Sequence, residues 1–320
     1  KSDLFAVFIE MRIVKSAPAY RVVYMPPYVW MFIKSYEKLR EIIVNSKTIS
    51  SLIQLEYNAF EPACIPVCTF TLQNSFLPEN IGNYIRLSDF KGHRNQAPKT
   101  IEAIANPECD WFFRASSLNF KKIPGAPIAY WVSDRIKEIF EHANCLNKIA
   151  DPRQGLATTE NKRFLRLWFE VEISNISFDC KSTEQSLNIP IKWFPYNKGG
   201  GFRKWAGNQE FVVNWENDGE EIKNTVVKKY PYLNGNYDYV VKNRDFYFRE
   251  SITWSFVSSS CFGVRYSPPG SIFDVGGSSV FPKHEDVFWL TGFMCSKLST
   301  IFMKAMNPTL NFQVGDVASL

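Results

Sequence analysis

The chain has 320 residues, of which 45% are hydrophobic and 16% aromatic, and its formal net charge is +5. This length is enough to bury a full-sized core and predicts about two domains. Seven cysteines without a CxxC pair, and only three histidines, exclude a recognisable zinc pattern, so we expect no metal and reduced cysteines in a cytoplasmic protein.

The first 75 residues predict helices and strands in alternation. Apolar residues at helical spacing predict a helix over "DLFAVFIEMRIV", with Ser2 and Asp3 as candidate caps. A strand is predicted at "AYRVVYM", a helix at "SYEKLREIIVNS", and two more strands at "ISSLIQL" and "PVCTFTLQ". This rhythm predicts one half of an open α/β sheet.

The remaining residues predict a connector and a mixed domain. Residues 76–125 have a mixed composition and predict a connector with a short helix near "KTIEAIAN". A helix preceded by Ser133 is predicted at "YWVSDRIKEIFEHA". Short strands and polar loops follow, and a long helix is predicted near 284–305. Because that helix contains Lys297 and Lys304, it is not predicted to span a membrane.

Two windows in the second half combine basic residues with aromatic or amide side chains. The window 185–209 has no acidic residue and contains Lys192, Lys198, Arg203 and Lys204 among five aromatic residues. Basic groups beside aromatic rings suit phosphates and bases, although a solvated loop over a partly buried aromatic cluster is the open alternative. The window "DPRQGLATTENKRFLR" adds Arg and Gln, which can make bidentate contacts with guanine and adenine.

Other patterns indicate no chemistry of their own. The glycine-rich stretches "YNKGGGFRK" and "DVGGSS" lack the spacing of a P-loop, and a turn between strands explains the second. Neither a Ser-His-Asp nor a Cys-His arrangement is identifiable. Composition and spacing alone therefore predict an α/β part followed by a mixed domain with basic loops.

Several stretches resemble known DNA methyltransferases. "SDLFAVFIE", "VWMF", "SYEKLREII" and "AFEPACIPVCTF" resemble the later part of the catalytic domain of gamma-class, TaqI-like adenine-N6 DNA methyltransferases. "IADPRQGLATTENKRFLRLWFEV", "KWFPYNKGGGFRKWAGNQEFVVNWENDGEEI", "SITWSFVSSSCFGVRYS", "GSIFDVGGSSVFP" and "NPTLNFQVGDVASL" resemble the C-terminal region of PglX-type methyltransferases of BREX phage-defence systems. The second resemblance covers most of residues 126–320.

The resemblance implies a fold and a function. The fold would be α/β: a partial Rossmann-like methyltransferase sheet (1–75), a connector (76–125) and a mixed α+β target-recognition domain (126–320). The parent enzyme would transfer a methyl group from S-adenosylmethionine to adenine N6 in double-stranded DNA, after the base is extruded from the duplex. Its implied partners are DNA and other BREX or restriction-modification proteins, and no membrane.

The resemblance places the catalytic Asn-Pro-Pro-Tyr loop and the cofactor loop before Lys1. We therefore expect the chain to be a fragment that neither methylates DNA nor binds the cofactor tightly by itself. The Met-Pro-Pro-Tyr sequence at 25–28 is not that loop, because the Met25 side chain cannot usefully accept a hydrogen bond from the target amine.

The resemblance also implies site residues within the chain. Asp3, Leu4 and Phe8 would form one edge of the cofactor pocket. Phe60, in "AFEPA", would stack on the extruded adenine, with an ordinary core phenylalanine as the alternative. The predicted DNA contacts are Arg153, Gln154, Lys162, Arg163, Lys192, Lys198, Arg203 and Lys204.

Two other functions stay open from the sequence. One is a specificity module that only recognises DNA or docks to a BREX partner. The other is the modification half of a fused restriction-methylation protein. An FxGxG and an (N/D)PPY sequence upstream would support methylation, whereas a PD-(D/E)xK pattern upstream would favour the fused nuclease.

Overall fold

The computed structural model describes residues 3–61, 63–258, 261–284 and 286–320. The chain divides into two compact units: Lys1–Ala143 with Lys304–Thr309, and Asn144–Met303 with Leu310–Leu320. This division follows Ala143, so it does not coincide with the boundaries expected after residues 75 and 125.

The first unit follows the predicted order of elements. Its helices are α1 (Leu4–Lys15), α2 (Glu37–Ser46), α3 (His93–Ala105) and α4 (Asp134–His142). Its strands are β1 (Arg21–Tyr24), β2 (Thr48–Gln54), β3 (Cys68–Gln73), β4 (Ile81–Arg86) and β5 (Phe112–Ser116). The predicted helices and strands of this region are confirmed, and β4 and β5 are additional.

These strands form one sheet, sheet I, in the order β1-β3-β2-β4-β5. β2 and β4 are parallel, whereas β3 is antiparallel to both β1 and β2. β1 and β2 therefore run in the same direction, and the chain passes from one to the other through α2, as in a crossover of an open α/β sheet. The predicted partial α/β sheet is confirmed.

The expectation that residues 76–125 form a connector is corrected, because this stretch supplies β4, α3 and β5. The buried Arg40 of α2 shows why the unit extends further. Its guanidinium donates to the carbonyls of Trp30 (2.9 Å), Ile33 (2.7 Å) and Gly125 (2.9 Å). Since a buried cation must be hydrogen-bonded, this contact joins residue 125 to α2 within the first unit.

The start of α1 differs from the predicted cap. Asp3 occupies the N-cap position without a capping hydrogen bond from its side chain. Its carboxylate instead accepts a hydrogen bond from the Tyr36 hydroxyl. Burial, and then this hydrogen bond, raise the pKa of Tyr36 to about 12, so the hydroxyl remains a donor at neutral pH. Ser2, the other candidate cap, lies outside the described residues.

The second unit contains short strands and helices. The strands are β6 (Ala150–Arg153), β7 (Leu165–Leu167), β8 (Trp193–Asn197), β9 (Phe211–Asn214), β10 (Ser251–Trp254), β11 (Val264–Ser267), β12 (Ile272–Phe273) and β13 (Ser279–Pro282). The helices are α5 (Asn161–Phe164), α6 (Thr183–Leu187), α7 (Glu216–Lys229), α8 (Val287–Cys295), α9 (Lys297–Met306), which extends past the division between the units, and α10 (Val314–Ala318). This arrangement confirms the mixed α+β part of the prediction.

The strands of the second unit form two sheets. Sheet II has the order β11-β10-β13-β6 with antiparallel pairs, and sheet III has the order β12-β8-β9-β7. One face of sheet II carries buried polar side chains, namely Ser251, Thr253, Ser255, Arg265, Ser267 and Ser279. Thr253 donates to the Gly277 carbonyl (3.0 Å), and Ser267 accepts from Asn197 (2.8 Å). Small hydroxyl groups thus satisfy backbone and amide groups that pack closely on this face.

The long helix expected near 284–305 is two helices, α8 and α9, separated at Ser296. Ser296 has extended backbone angles (φ −70°, ψ 165°), and its hydroxyl accepts a hydrogen bond from the Ser299 N–H (3.3 Å). A serine that accepts from the third following N–H is a helix N-cap, so this residue starts α9 and interrupts the helical pattern.

Candidate nucleic-acid interface

The glycine loop (residues 198–209) is held against a turn of its own unit. Gly199 has φ +82°, and a Cβ there would lie 2.2 Å from the Gly276 carbonyl oxygen. A Cβ on Gly277 would lie 2.1 Å from the Asn197 carbonyl oxygen. The turn joins β12 to β13, as the sequence predicts for "DVGGSS". The glycines therefore permit backbone-to-backbone packing, and this packing explains them without a phosphate cradle.

Two predicted DNA-contacting lysines anchor this loop internally. The Lys198 ammonium lies 2.6 Å from the carboxylate of Asp274, which is buried. The Lys204 ammonium donates to the Cys295 carbonyl (2.7 Å), at the C-terminal end of α8, where a cation is favoured. Their DNA contacts stay predictions, and these internal bonds compete with such contacts for the donors of each ammonium.

Arg203 and Trp205 are displayed by the same loop. Trp205 has φ +71°, a strained value for a bulky residue, and its ring is 59% exposed. Its backbone is fixed to β11, because its N–H donates to Val264 and its carbonyl accepts from Tyr266 (both 2.9 Å). Within the described residues, the exposed Arg203 guanidinium bonds only the Phe202 carbonyl. The loop thus presents an exposed aromatic ring on a fixed backbone, beside a cation that has no acidic partner in the described residues.

The other predicted DNA-contacting cations differ in how far acidic side chains neutralise them. Arg163 donates to Glu221 (2.9 Å), and Lys192 lies 3.9 Å from Glu216. Lys162 is exposed, and no ion pair of its ammonium occurs within the described part of the chain. Lys162 and Arg203 are therefore the predicted DNA-contacting cations best placed to meet phosphates.

A row of residues that lie directly opposite one another on successive strands crosses sheet II, from the glycine loop to β6. It consists of the paired residues Trp205, Arg265, Thr253, Ser279 and Arg153. Side chains of residues directly opposite each other share a face of a sheet. With about 4.8 Å between strands, Trp205 and Arg153 lie roughly 19 Å apart at the two ends of one face.

A cleft of about 580 Å³ lies at the β6 end of this sheet. Its lining combines polar and apolar residues and contains no carboxylate: Pro152, Arg153, Gln154, Lys242, Asn243, Phe256, Gln313, Val314 and Gly315. Arg153 and Gln154, which the sequence predicts as DNA contacts, are therefore brought together with Lys242 and Asn243, which it does not predict. No local pattern links these two segments, because they meet only in the folded unit.

Phe60 follows β2, at the C-terminal end of the parallel pair β2 and β4. Its side chain is 42% exposed, which does not fit the alternative of a core phenylalanine. The buried carboxylate of Glu56 orders this region by accepting hydrogen bonds from the N–H groups of Asn58 (2.9 Å) and Gly92 (3.1 Å). Open α/β sheets hold ligands beyond this end of their strands, so the ring is available at a ligand-binding position.

A second candidate site residue, Arg86, lies near this end of sheet I and was not predicted from the sequence. Arg86 ends β4, and its guanidinium lies 4.7 Å from the centroid of the Trp131 ring. Its Nε is buried and has no hydrogen-bond partner within the described residues. The position of an arginine at the end of a strand was the available signal, but β4 itself was not predicted.

The Met-Pro-Pro-Tyr segment is bonded to the start of β3. The Cys68 N–H donates to the Pro26 carbonyl (3.0 Å), and the Tyr28 N–H donates to the Pro66 carbonyl (2.7 Å). The Met25 side chain is exposed. Backbone groups of this segment are thus used in the sheet region, in keeping with its interpretation as a coincidental match.

The candidate cofactor residues provide one side of a pocket at most. Leu4 and Phe8 lie on an exposed apolar face of α1, and Asp3 is engaged by Tyr36. Such a face can contact an adenosine group, but these three side chains cannot enclose one. Their role in binding S-adenosylmethionine stays a prediction.

The described ranges contain neither a cluster suited to a metal ion nor a helix suited to a membrane span. No group of three or more His, Cys, Asp or Glu side chains there could hold a metal ion. No helix in those ranges has the length and apolarity needed to cross a membrane.

Comparison with known proteins identifies relatives along the whole chain. No model of a known protein family matches. The chain is 38% identical to the adenine-specific methyltransferase PglX of Lacticaseibacillus casei (strain Zhang), over 100% of its own length and 26% of that protein. It is 34% identical to the adenine-specific methyltransferase BrxX of Escherichia coli O9:H4 (strain HS), over 99% of its length and 25% of that protein. The chain thus spans about a quarter of these relatives.

Solved structures share the fold. The type IIL restriction-modification enzyme MmeI, solved in complex with DNA, matches 98% of this chain and 40% of its own (TM-score 0.59, 11% identity). A nuclease-deletion mutant of the type ISP restriction-modification enzyme LlaGI, solved with a DNA substrate mimic, matches 96% of this chain and 29% of its own (TM-score 0.52, 9% identity). At these identities the likeness shows the fold alone. Along its whole length, the chain is therefore homologous to about a quarter of the adenine-specific methyltransferases PglX and BrxX.

Proposed function

We propose that the chain is the target-recognition part, with the end of the catalytic sheet, of an S-adenosylmethionine-dependent enzyme that methylates adenine N6 in double-stranded DNA. The observation that carries this proposal is the 38% identity to a PglX adenine-specific methyltransferase along the entire chain. The biological role would be modification of host DNA in a BREX phage-defence system, together with other proteins of that system.

The first unit supports this proposal through what its sheet leaves uncovered. β1 is an edge strand of sheet I among the described strands. α1 buries Ala6, Ile9 and Ile13 but also exposes a second apolar row, namely Leu4, Val7, Phe8, Met11 and Val14. A helix that is apolar on two sides is normally covered on both. Further strands and helices of a larger catalytic domain would supply that cover.

The described residues would serve the reaction by placing the base and the duplex. Phe60 would stack on the extruded adenine. The exposed cations of the second unit would bind phosphates, whose charge dominates affinity for DNA. S-adenosylmethionine would supply the methyl group, with Leu4 and Phe8 touching one edge of it.

Sequencing of modified bases tests the activity directly. Expression of the full-length protein with its system partners should produce N6-methyladenine at one short DNA sequence. A full-length protein with an intact upstream (N/D)PPY sequence that yields no N6-methyladenine under these conditions would contradict methylation. It would then favour the module that only recognises DNA or docks to a partner.

The phosphate contacts give a quantitative prediction. Changing Lys162 and Arg203 to alanine in the full-length protein should weaken binding to all duplexes alike and reduce the salt slope by about 1 for each phosphate that is no longer bound. We expect little change in stability, because neither side chain has an acidic partner within the described residues. The measurement is duplex affinity at several salt concentrations.

The control for this pair is Lys228→Ala, an exposed lysine of α7 in the same unit. Its affinity and salt slope should equal those of the unchanged protein. An unchanged slope in the double variant would contradict the phosphate contacts, whatever the catalytic activity.

A further inference from the structure

The cleft beside β6 contains a glutamine that is held at both its backbone and its side chain. The Gln154 carbonyl accepts a hydrogen bond from the Asn243 side chain (2.8 Å). The Gln154 Oε1 accepts a hydrogen bond from the Lys242 ammonium (2.8 Å). Asn243 itself has φ +54°, a left-handed conformation that asparagine tolerates. Gln154 is therefore fixed before any ligand arrives.

The hydrogen bond from Lys242 decides which way the amide faces. A lysine ammonium can only donate, so the oxygen of the Gln154 amide must face it. The Nε2 group then points away from Lys242, and no hydrogen bond of this nitrogen occurs within the described residues. The cleft thus presents an oriented N–H donor.

Arg153 is oriented in a comparable way. Its guanidinium lies 4.8 Å from the centroid of the Phe246 ring, and its terminal nitrogen lies 3.3 Å from Asp151. Its Nε is buried without a hydrogen-bond partner in the described part of the chain. A ring contact and a carboxylate on one side hold the plane of the guanidinium, which suits recognition of a flat group with two acceptors.

Fixed planar donors distinguish this cleft from a phosphate-binding surface. Phosphates are bound mainly through their charge, so mobile lysines are sufficient to bind them. Base edges are distinguished by oriented donors and acceptors. Arginine pairs with the two acceptors of guanine, and a fixed amide N–H selects a base with an acceptor at its groove edge. No carboxylate is among the lining residues, and Asp151, outside the lining, accepts from a terminal nitrogen of Arg153.

We propose that this cleft reads base edges of the target duplex, with Arg153 on a guanine and the Gln154 amide donating to an adjacent base. Lys242 is the positioning residue that keeps the amide in its donating orientation. This inference rests on the proposed function, since it assigns the specificity of the same DNA site.

The experiment exchanges the donor for an acceptor of the same shape. Gln154→Glu keeps the contact with Lys242 as an ion pair but replaces the N–H group by an oxygen. Lys242→Met removes the group that orients the amide. The full-length protein and each variant are given a pool of duplexes randomised around the methylated sequence, and methylated products are sequenced. A parallel selection by binding alone uses the same pool.

Both variants should change the base preference at one and the same position, by about 10-fold or more, and leave the other positions as they were. Gln154→Glu should favour a base that offers a donor there, and Lys242→Met should relax the preference. Lys228→Met removes an exposed charge of the same unit and should leave every preference unchanged.

Other outcomes overturn the inference. A uniform loss at all sequences would show that the cleft binds backbone or supports the fold, and unchanged preferences would show that it does not read bases. If the unchanged full-length protein forms no N6-methyladenine, the proposed function fails while the binding selection still tests the cleft. Thermal melting of each variant shows whether a changed preference reflects unfolding. If one of the two variants, Gln154→Glu or Lys242→Met, does not fold, the result of the other decides.

Discussion

Replacing Asp274 by alanine is expected to lower the free energy of unfolding by about 3–5 kcal/mol, because it removes one partner of a buried ion pair. The Asp274 side chain is 4% exposed, and its oxygens accept from Lys198, from the Tyr196 hydroxyl and from the Gly276 N–H, each at 2.6 Å. Burial, and then this carboxylate, raise the pKa of Tyr196 well above its usual value, so the tyrosine remains a donor. The substitution would leave that hydroxyl buried with only a 3.3 Å contact to the Leu156 carbonyl.

Urea unfolding of the full chain measures this loss. Asp238→Ala is the matched control in the same unit, since Asp238 is mostly exposed and lies 3.6 Å from Arg244. An exposed pair of this kind contributes about 1 kcal/mol or less. Equal midpoints for the two variants would contradict a central role for Asp274 in holding the glycine loop on its turn.

The network around Asp274 also shows what could not be predicted from the sequence. Composition identifies Lys198 as a cation in a window without acidic residues, which favours a DNA contact. The carboxylate that pairs with it belongs to Asp274, 76 residues later in the chain. Asp274 directly follows β12, at the start of the turn. Only the pairing of β12 with β8 brings the two together, so a window analysis cannot see the neutralisation.

The regular parts of sheet I were predictable for a local reason. β3 alternates buried and half-buried residues along its whole length, and α2 carries its apolar residues at helical spacing. Periodicity of this kind is written in neighbouring residues. The position of β4 was not predictable in that way, because it joins the sheet by pairing with β2, far earlier in the chain.

The residues of the candidate site also differ in whether the sequence could predict them. Phe60 and the basic windows carry local patterns or a family resemblance, and they were predicted. Lys242 and Asn243 contribute to the cleft only through contacts with Gln154 made in the folded unit. Likewise Ser296, which ends one helix and caps the next, looks in the sequence like an ordinary helical position.

Phe60→Ala is expected to reduce methylation by the full-length protein by about 5- to 150-fold, the equivalent of roughly 1–3 kcal/mol of base stacking. The extruded adenine loses its neighbours in the duplex, and an aromatic face beyond the end of β2 would replace that stacking. Because the ring is 42% exposed, its removal should cost about 1 kcal/mol of stability or less, not the roughly 3–5 kcal/mol of a core phenylalanine. The measurements are single-turnover methylation and thermal melting.

Two companion variants make the result specific to stacking. Phe60→Trp keeps an aromatic face and should retain most of the methylation rate, which a requirement for a small residue would not predict. Tyr20→Ala removes an exposed ring elsewhere in the first unit and should leave the rate unchanged. Duplex binding should be nearly the same for all three, since stacking is gained only after the base has left the helix. A large fall in melting temperature for Phe60→Ala, with normal specific activity of the enzyme that stays folded, would instead assign this ring to the fold.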